Sequence, residues 1–364
     1  MFADIYKGRR VLVTGHTGFK GSWLSLWLSD LGAEVAGLSN GEPTTPSNFC
    51  ALELRNKLHH FEVDIRDREQ VLEIFQEFNP EIVFHLAAQA IVRRAYENSV
   101  LTLETNAFGT MNILEALRQT ESVEAAVLIT SDKCYKNVEW VWGYRENDIL
   151  GGGDPYSASK ACAEIIAATY IESFFSANSK RVATARAGNV IGGGDWAPDR
   201  VVPDCIRAWT KGSSADIRNP NATRPWQHVL EPVSGYLWLG ATLWLRDQGV
   251  IGEAFNFGPS QSANETVGDL VDALCCYWPG LHWVMAGGAS DVSKESVLLQ
   301  LNCDKAKALL DWRTILSFED TVSYTGEWYK HYYKNEGDHA LEISQQQIRD
   351  YSECAMKEEL RWAS

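Results

Sequence analysis

Two short stretches carry side chains able to move protons. Ser131-Asp132-Lys133 sets a hydroxyl, a carboxylate and an amine side by side, and Tyr156-Ser157-Ala158-Ser159-Lys160 sets a phenol and an amine four residues apart. Residues four apart on a helix share a face, and an ammonium beside a phenol favours the phenolate, lowering its pKa from about 10 toward the working range. That pairing turns a tyrosine into a base. An adjacent carboxyl and amine supply a complementary acid and base. Taken singly, the first stretch is a solvated loop start and the second a helix-surface pair; whether they do chemistry depends on where the chain puts them.

Ala126–Thr130 is an apolar run of buried-strand type, and it delivers Ser131 to Lys133 at its carboxyl end, the edge where open parallel sheets bind ligands. Asp154-Pro155 then opens a long helix through Cys162, Ile165, Ile166 and Tyr170. Far upstream, Val11–Thr14 feeds a loop with glycines at 15, 18 and 21, followed by Trp23, Leu24, Trp27, Leu28 and Leu31 at helical spacing. Glycine at those places permits a tight turn, close approach of a pyrophosphate and helix-on-strand packing, while the helix start offers free N–H groups to the anion. A second strand, Glu34–Leu38, ends in Ser39-Asn40, with no acidic residue to grip an adenosine ribose and no arginine nearby in sequence to take a 2′-phosphate. Neutral Ser39 or Asn40 must then bond the ribose hydroxyls, which favours NAD over NADP.

Phe61–Asp67 is a short strand ending in a polar turn, where Asp64 is either a cap or an acceptor for the adenine amino group. Ile82–Gln89 is a buried strand running into small residues that let a cofactor lie close, and His85 within it is a satisfied strand-end histidine. Asn106 opens a helix reaching Arg118; in a packed interface its amide is costly unless used. Val182–Ala187 is a sixth strand. The alternation predicts an α/β fold with a doubly wound parallel sheet over residues 1–189.

At 364 residues the chain exceeds the roughly 250–300 beyond which single cores split, so a smaller second lobe is expected. From 190 the alternation fades, and residues 190–334 are assigned to a mixed α/β substrate-binding lobe from which the chain re-enters the first domain. Helices near 232–247 and 266–277 flank a strand at Glu253–Phe257, and Asn302–Leu310 is another helix. Arg218, Arg224, Trp226 and His228 form either a local anion site or a set of surface residues. Residues 335–364 are a polar tail with a weak helical pattern. A net charge of −15 argues against nucleic acid and acidic membranes. The longest apolar run, Tyr236–Leu245, is about half the ~20 residues of a membrane span. No secretory signal is seen, and eight cysteines without CxxC or metal-ligand spacing fit a reducing cytoplasm and no metal.

Gly15-x-x-Gly18-x-x-Gly21, Asp64, His85-Leu86-Ala87-Ala88, Asn106, Ser131 and Tyr156-x-x-x-Lys160 occur in the order and spacing of the extended short-chain dehydrogenase/reductase family, which the chain resembles over nearly its whole length apart from the tail. The resemblance implies a Rossmann domain holding NAD through Gly15, Thr17, Gly18, Phe19, Gly21, Ser39, Asn40, Asp64, Ile65, Leu86, Ala87, Ala88, Asn106, Tyr156 and Lys160. It also implies a nucleoside-diphosphate hexose touched by Gln89, Asn189, Arg224 and Asn256. Helices near 100–118 and 157–175 match those that build a homodimer in relatives, with a dimer of dimers left open.

Within that family, epimerases carry small residues after the catalytic hydroxyl and 4,6-dehydratases carry an acid and a base. Asp132-Lys133, with Thr14–Trp23 and Gly192-Gly193-Gly194-Asp195-Trp196, resembles the dehydratase branch and implies CDP-glucose as substrate, in deoxysugar biosynthesis. The implied course is oxidation at C4 with Tyr156 as base, Ser131 on the same oxygen and Lys160 on the ribose, then C5/C6 elimination with Lys133 as base and Asp132 as acid, then reduction at C6. Two further readings stand beside it: an epimerase or reductase on the same fold, and a non-catalytic dinucleotide-binding regulator.

Overall fold

Strand β1 (Arg10–Thr14) lies inside a seven-stranded sheet in the computed structural model, which describes residues 1–175, 180–259, 265–286 and 298–364. On one side lie β2 (Glu34–Ser39) and β3 (His59–Glu62). On the other lie β4 (Ile82–His85), β5 (Ala125–Ile129), β6 (Arg181–Ala187) and β7 (Ala254–Phe257). The order is 3-2-1-4-5-6-7 and every pairing is parallel, with Val11 facing Val35 on one side and Ile82 on the other. All residues of β5 and β6 are buried, as expected of parallel strands covered on both faces. The strand order reverses between β1 and β4, and this crevice at the carboxyl edge is where such sheets take ligands.

The third strand stops at Glu62, short of the expected Asp67, because the chain turns there to start a helix. Asp67, and not Asp64, caps that helix, accepting the Gln70 N–H at 3.1 Å.

Helix α1 (Phe19–Asp30) follows β1. On the opposite face of the sheet, α2 (Arg68–Phe78), α3 (Gly109–Gln119) and α4 (Pro155–Phe174) share a core that includes Val71, Phe75, Ile113, Leu114 and Leu117. The helix expected from Asn106 enters through a π-helical turn over Glu104–Phe108. Covering the α1 face are α5 (Leu230–Trp244), α6 (Phe318–Lys334) and α7 (Ala340–Lys357). The apolar run at 236–245 therefore belongs to a buried core helix, and no described helix is long and apolar enough to cross a membrane.

Residues 230–257 thus return to the main sheet. What remains of the later chain forms short ladders over the carboxyl edge: Val190–Ile191 with Gln227–His228, Thr223–Arg224 with Glu265–Thr266, and Ala215–Ile217 with Trp283–Met285. A helix over Val201–Trp209 stands beside them.

The C-terminal residues are no loose appendage. Tyr351 and Trp362 are fully buried, with Trp362 stacked on Phe2 at 5.1 Å and on Tyr351 at 5.7 Å and meeting Trp27 edge-on at 6.0 Å. A tryptophan buried in this way contributes about 4–6 kcal/mol of transfer free energy before its lost entropy is counted. This clasp also explains α1, where every residue from Gly21 to Leu28 is buried instead of one stripe, because α5 and α7 lie on either side of it.

Candidate active site

The carboxyl ends of the central strands open into a cleft of about 1940 Å3. At its floor, Gly15 has φ +74°, and a Cβ there would stand 2.7 Å from the Ala87 nitrogen; a Cβ on Gly21 would stand 2.1 Å from the Gly15 carbonyl oxygen. Both glycines are dictated by backbone approach, and Gly18 supplies the extended N-cap of α1. The first amides of α1 therefore face the cleft unpaired, a cradle that fits a dinucleotide pyrophosphate. Thr17, Gly18, Phe19, Ile65, Leu86, Ala87 and Ala88 line the same wall. Thr17 already uses its hydroxyl on the Gly41 carbonyl at 2.8 Å.

Ser39 and Asn40 reach the cleft where a ribose is expected, each held by a partner that local spacing did not suggest. The Ser39 hydroxyl contacts His16 Nδ1 at 2.9 Å, and His16 Nε2 contacts His60 Nδ1 at 2.7 Å. Burial and the neighbouring His60 push His16 down to about 3, so its ring is neutral. Asn40 donates to Asp64 at 2.8 Å, and Asp64 also takes the Arg66 guanidinium at 2.7 Å. The Arg66 hydrogen bonds hold the Asp64 carboxyl below its ordinary range. An arginine does come close to this edge in space, and Asp64 engages it.

His85 is satisfied as expected, contacting Thr14 Oγ1 at 2.7 Å and Thr110 Oγ1 at 3.0 Å. Asn106 departs from its expected place against the cofactor. Its oxygen accepts the Gln89 N–H at 2.8 Å and its amide donates to the Gln89 carbonyl and to Ser159 Oγ, leaving the side chain 1 % exposed. It positions the strand-end loop from behind. Gln89 lines the cleft, but its own amide closes a turn onto Ile91 and Thr102.

The two proton-moving stretches meet. Asp154 caps α4 by accepting the Tyr156 and Ser157 amides at 2.9 and 3.0 Å, with Pro155 in the first turn. Tyr156, Lys160 and Glu164 then fall on one face of that helix. The Ser131 hydroxyl donates to Asp132 Oδ1 at 2.9 Å, and Tyr156 and Lys133 line the same cleft. The expected lowering of the phenol is not seen. Burial pushes Tyr156 up to about 12 despite the opposing influence of Ser131, and burial pushes Lys160 down to about 8, partly offset by Glu164. In the protein alone, desolvation outweighs the lowering by Ser131 and Arg200.

Behind this edge lies a buried polar network. Glu164 accepts Arg186 Nε at 2.9 Å and Nη2 at 2.8 Å, Thr184 Oγ1 at 3.0 Å and the Thr130 hydroxyl. Arg186 continues to the Tyr135 hydroxyl at 2.7 Å. Thr130 and Tyr135 bracket Ser131–Lys133, so one ion pair anchors both ends of that segment. Burial opposes both charges, but each partner favours the other's ionised form, and Glu164 ends below its ordinary range.

Asn256, expected at the nucleotide, belongs to this network and is fully buried. It accepts from Tyr135 at 2.8 Å and donates to the Tyr144 and Asn302 carbonyls. Asn189 and Arg224 do line the cleft.

Two cations were missed. Lys20, within the glycine loop, lines the cleft with its ammonium 5.8 Å from the Tyr236 ring; burial and nearby Lys160 and Arg200 push it down to about 7. Arg200 reaches over the site from a 2.9 Å bridge to Asp195 in the Gly192–Trp196 turn. A lysine between two structural glycines was the available signal; nothing local marked Arg200.

Comparison with known proteins bears on the family and the fold. The family model described as GDP-mannose 4,6 dehydratase matches residues 12–253. The chain is 44% identical over 354 residues to the CDP-glucose 4,6-dehydratase of Salmonella typhimurium, covering 96% of this chain and 97% of that one. Among solved structures, the epimerase Mth375 of Methanothermobacter thermautotrophicus superposes with a TM-score of 0.77 at 25% identity, covering 92% of this chain and 96% of that one. The dTDP-glucose 4,6-dehydratase of Streptomyces venezuelae, solved with NAD bound, gives 0.73 at 24% identity over 88% of this chain and 97% of that one, and shows the shared fold. Matched by the family model through its whole sheet up to β7, and by a relative along almost its full length, the chain belongs to the nucleotide-sugar 4,6-dehydratase family.

Proposed function

We propose that the protein is an NAD-dependent lyase converting CDP-D-glucose to CDP-4-dehydro-6-deoxy-D-glucose and water, in the cytoplasm, as a step of deoxysugar biosynthesis. The observation that carries this reading is the meeting of Asp132 and Lys133 with Ser131 and Tyr156 at one sheet edge, since oxidation alone needs only the second pair. The cleft, well above the roughly 300–1,000 Å3 of a single-ligand pocket, has room for a dinucleotide and a nucleotide sugar together.

NAD fits the glycine cradle, Ser39, Asn40 and Lys160, and when bound it takes two electrons from C4 and gives them back at C6. Tyr156 accepts the 4-hydroxyl proton while Ser131 holds the same oxygen. Lys133 removes the proton on C5, made acidic by the C4 ketone, and Asp132 protonates the departing 6-hydroxyl. Asn189 and Arg224 are the proposed contacts to the sugar nucleotide. The domain division follows the same logic, with residues 1–189 serving the cofactor and the short ladders after 190 the substrate.

The protein is read as a homodimer. Val100, Phe108, Ile165 and Phe174 are each more than half exposed on the helices near 100–118 and 157–175, an apolar face consistent with a second copy.

Incubation with CDP-, dTDP-, UDP- and GDP-hexoses tests the assignment: CDP-glucose alone is expected to lose one water by mass, and protein stripped of cofactor is expected to recover with NAD⁺ and not with NADP⁺. Lys133→Met is expected to form NADH from CDP-glucose and then stall, with deuterium uptake at C5 lost. Normal product formation by that variant overturns Lys133 as the base.

A further inference from the structure

The NAD-dependent reading, on which this inference rests, leaves Lys20 without a task. Lys20 is the second residue of α1 and lines the cleft, yet among the described residues no carboxylate and no hydrogen-bond acceptor meets its ammonium. What holds it is the Tyr236 ring, whose centroid is 5.8 Å from Nζ. That choice of partner has an electrostatic consequence. A carboxylate would cancel the charge within the pair, whereas the face of a neutral ring attracts the ammonium through its quadrupole and leaves the full positive charge in the site. Tyr236 is itself fully buried, so little water screens the charge from that side. Burial, Lys160 and Arg200 all push the ammonium down, and Asp132, the smallest influence, is the only one in the other direction.

The strand order tells where in the cleft this charge lies. Tyr236, on α5, meets Phe257 edge-on at 5.8 Å, and Phe257 ends β7 opposite Ala187 at the end of β6. Lys20 starts beside the end of β1 and reaches toward that ring, so its ammonium lies between the ends of β1 and β6, which stand three strand spacings of about 4.8 Å apart. The two strands between them are β4 and β5, and β5 delivers Ser131. Ser39 and Asn40, at the end of β2, lie on the other side of β1. The charge therefore belongs to the catalytic half of the cleft and not to the half proposed for the adenosine ribose. A group that takes a hydride from C4 must lie in that same half, because Tyr156 and Ser131 hold the oxygen on that carbon.

We propose that Lys20 sets the redox balance of the bound cofactor: its uncancelled positive charge disfavours the oxidised nicotinamide, which is a cation, relative to the reduced ring, which is neutral. C4 gives up a hydride while the proton of its hydroxyl goes to Tyr156, and C6 takes the hydride back; Lys20 exchanges neither proton nor electron. It acts on the interval between the two transfers, holding NADH more firmly than NAD⁺ and so drawing C4 oxidation forward.

Calorimetric titration of cofactor-free protein with NAD⁺ and with NADH tests this without any turnover, at pH 6, below the value of about 7 near which the ammonium loses its proton. The pyrophosphate is common to both forms, so any attraction of Lys20 to it cancels in the ratio of the two dissociation constants. Lys20→Met is expected to shift that ratio about tenfold in favour of NAD⁺. Lys20→Arg keeps the charge and Tyr236→Phe keeps the ring, and both are expected to keep the parent's ratio. If Lys20→Met does not fold, Lys20→Gln is read in the same way. A neutral variant that loses affinity for both forms equally makes Lys20 a pyrophosphate contact and overturns the proposal, as does a Lys20→Arg protein that behaves like the neutral variant. Failure of the parent to bind either form refutes the NAD-dependent reading instead, so the two failures are distinguishable.

Discussion

Glu164 and Glu231 are both buried glutamates on long helices, one behind the catalytic edge and one beneath the C-terminal helix. Glu164 meets a guanidinium through two hydrogen bonds and stays ionised. Glu231 is met by the Ile315 and Leu316 amides at 2.9 and 2.8 Å and by the Tyr351 hydroxyl at 2.7 Å, and burial pushes its carboxyl up to about 7. The two regions are built for different ends. At the carboxyl edge of the sheet, the proposed proton transfers need fixed directions, and a buried ion pair with forked geometry sets them at the cost of desolvation. At the clasp only burial is required, and Phe2, Trp362 and Tyr351 in one stack, with the Tyr351 hydroxyl on a carboxyl that can take up a proton, meet that need.

Changes at the edge should therefore cost turnover, and changes at the clasp should cost stability alone. The largest effect is expected from Tyr156→Phe, with kcat falling roughly 10²–10⁴-fold while substrate titration and melting temperature stay near the parent. Near-normal turnover in that variant would break the comparison on its first side. Glu164→Gln leaves Arg186 buried without a counter-charge, and denaturant unfolding is expected to show a loss of about 3–5 kcal/mol. Its surviving folded fraction should also turn over more slowly, since Thr130 and Tyr135 lose their shared anchor.

On the other side, Trp362→Ala opens a cavity among Phe2, Trp27 and Tyr351 and is expected to cost about 3–5 kcal/mol in denaturant unfolding. Activity per folded molecule should be unchanged; a fall in kcat at full folding would show the clasp coupled to the site.

The smallest effect is a pH slope. The folded pKa of Glu231 is raised, so the folded protein binds more protons than the unfolded chain between the ordinary carboxyl range and about 7. Its contribution is present at low pH and is lost as pH rises through about 7. Glu164, lowered, works in the opposite sense and loses its contribution as pH falls. Unfolding titrations from about pH 5 to 8 are expected to show Glu231→Gln flattening the decline in stability by at most about 1.4 kcal/mol per pH unit. An unchanged slope would mean that Glu231 is ionised like its counterpart at the edge.

What could be read along the chain was what is decided locally. An apolar run of strand length, a glycine that must avoid its own loop and a phenol one helical turn from an amine all act within a few residues, so the sheet, the α1 cradle and the stretches 131–133 and 156–160 were legible. The direction of a polar side chain is set by partners far away in sequence. Asn106 and Asn256 carry the same amide as any cofactor ligand, yet contacts 53 and 112 residues distant turn both inward. Local spacing likewise shows which positions of α1 are apolar, but not that a helix more than 300 residues later covers its outer face, where Gln345 bonds Asp30 across a separation of 315. Lys20 and Arg200 join the site by the same rule, because only packing brings charges from the first loop and the second lobe to one cleft and removes the water that would otherwise screen them.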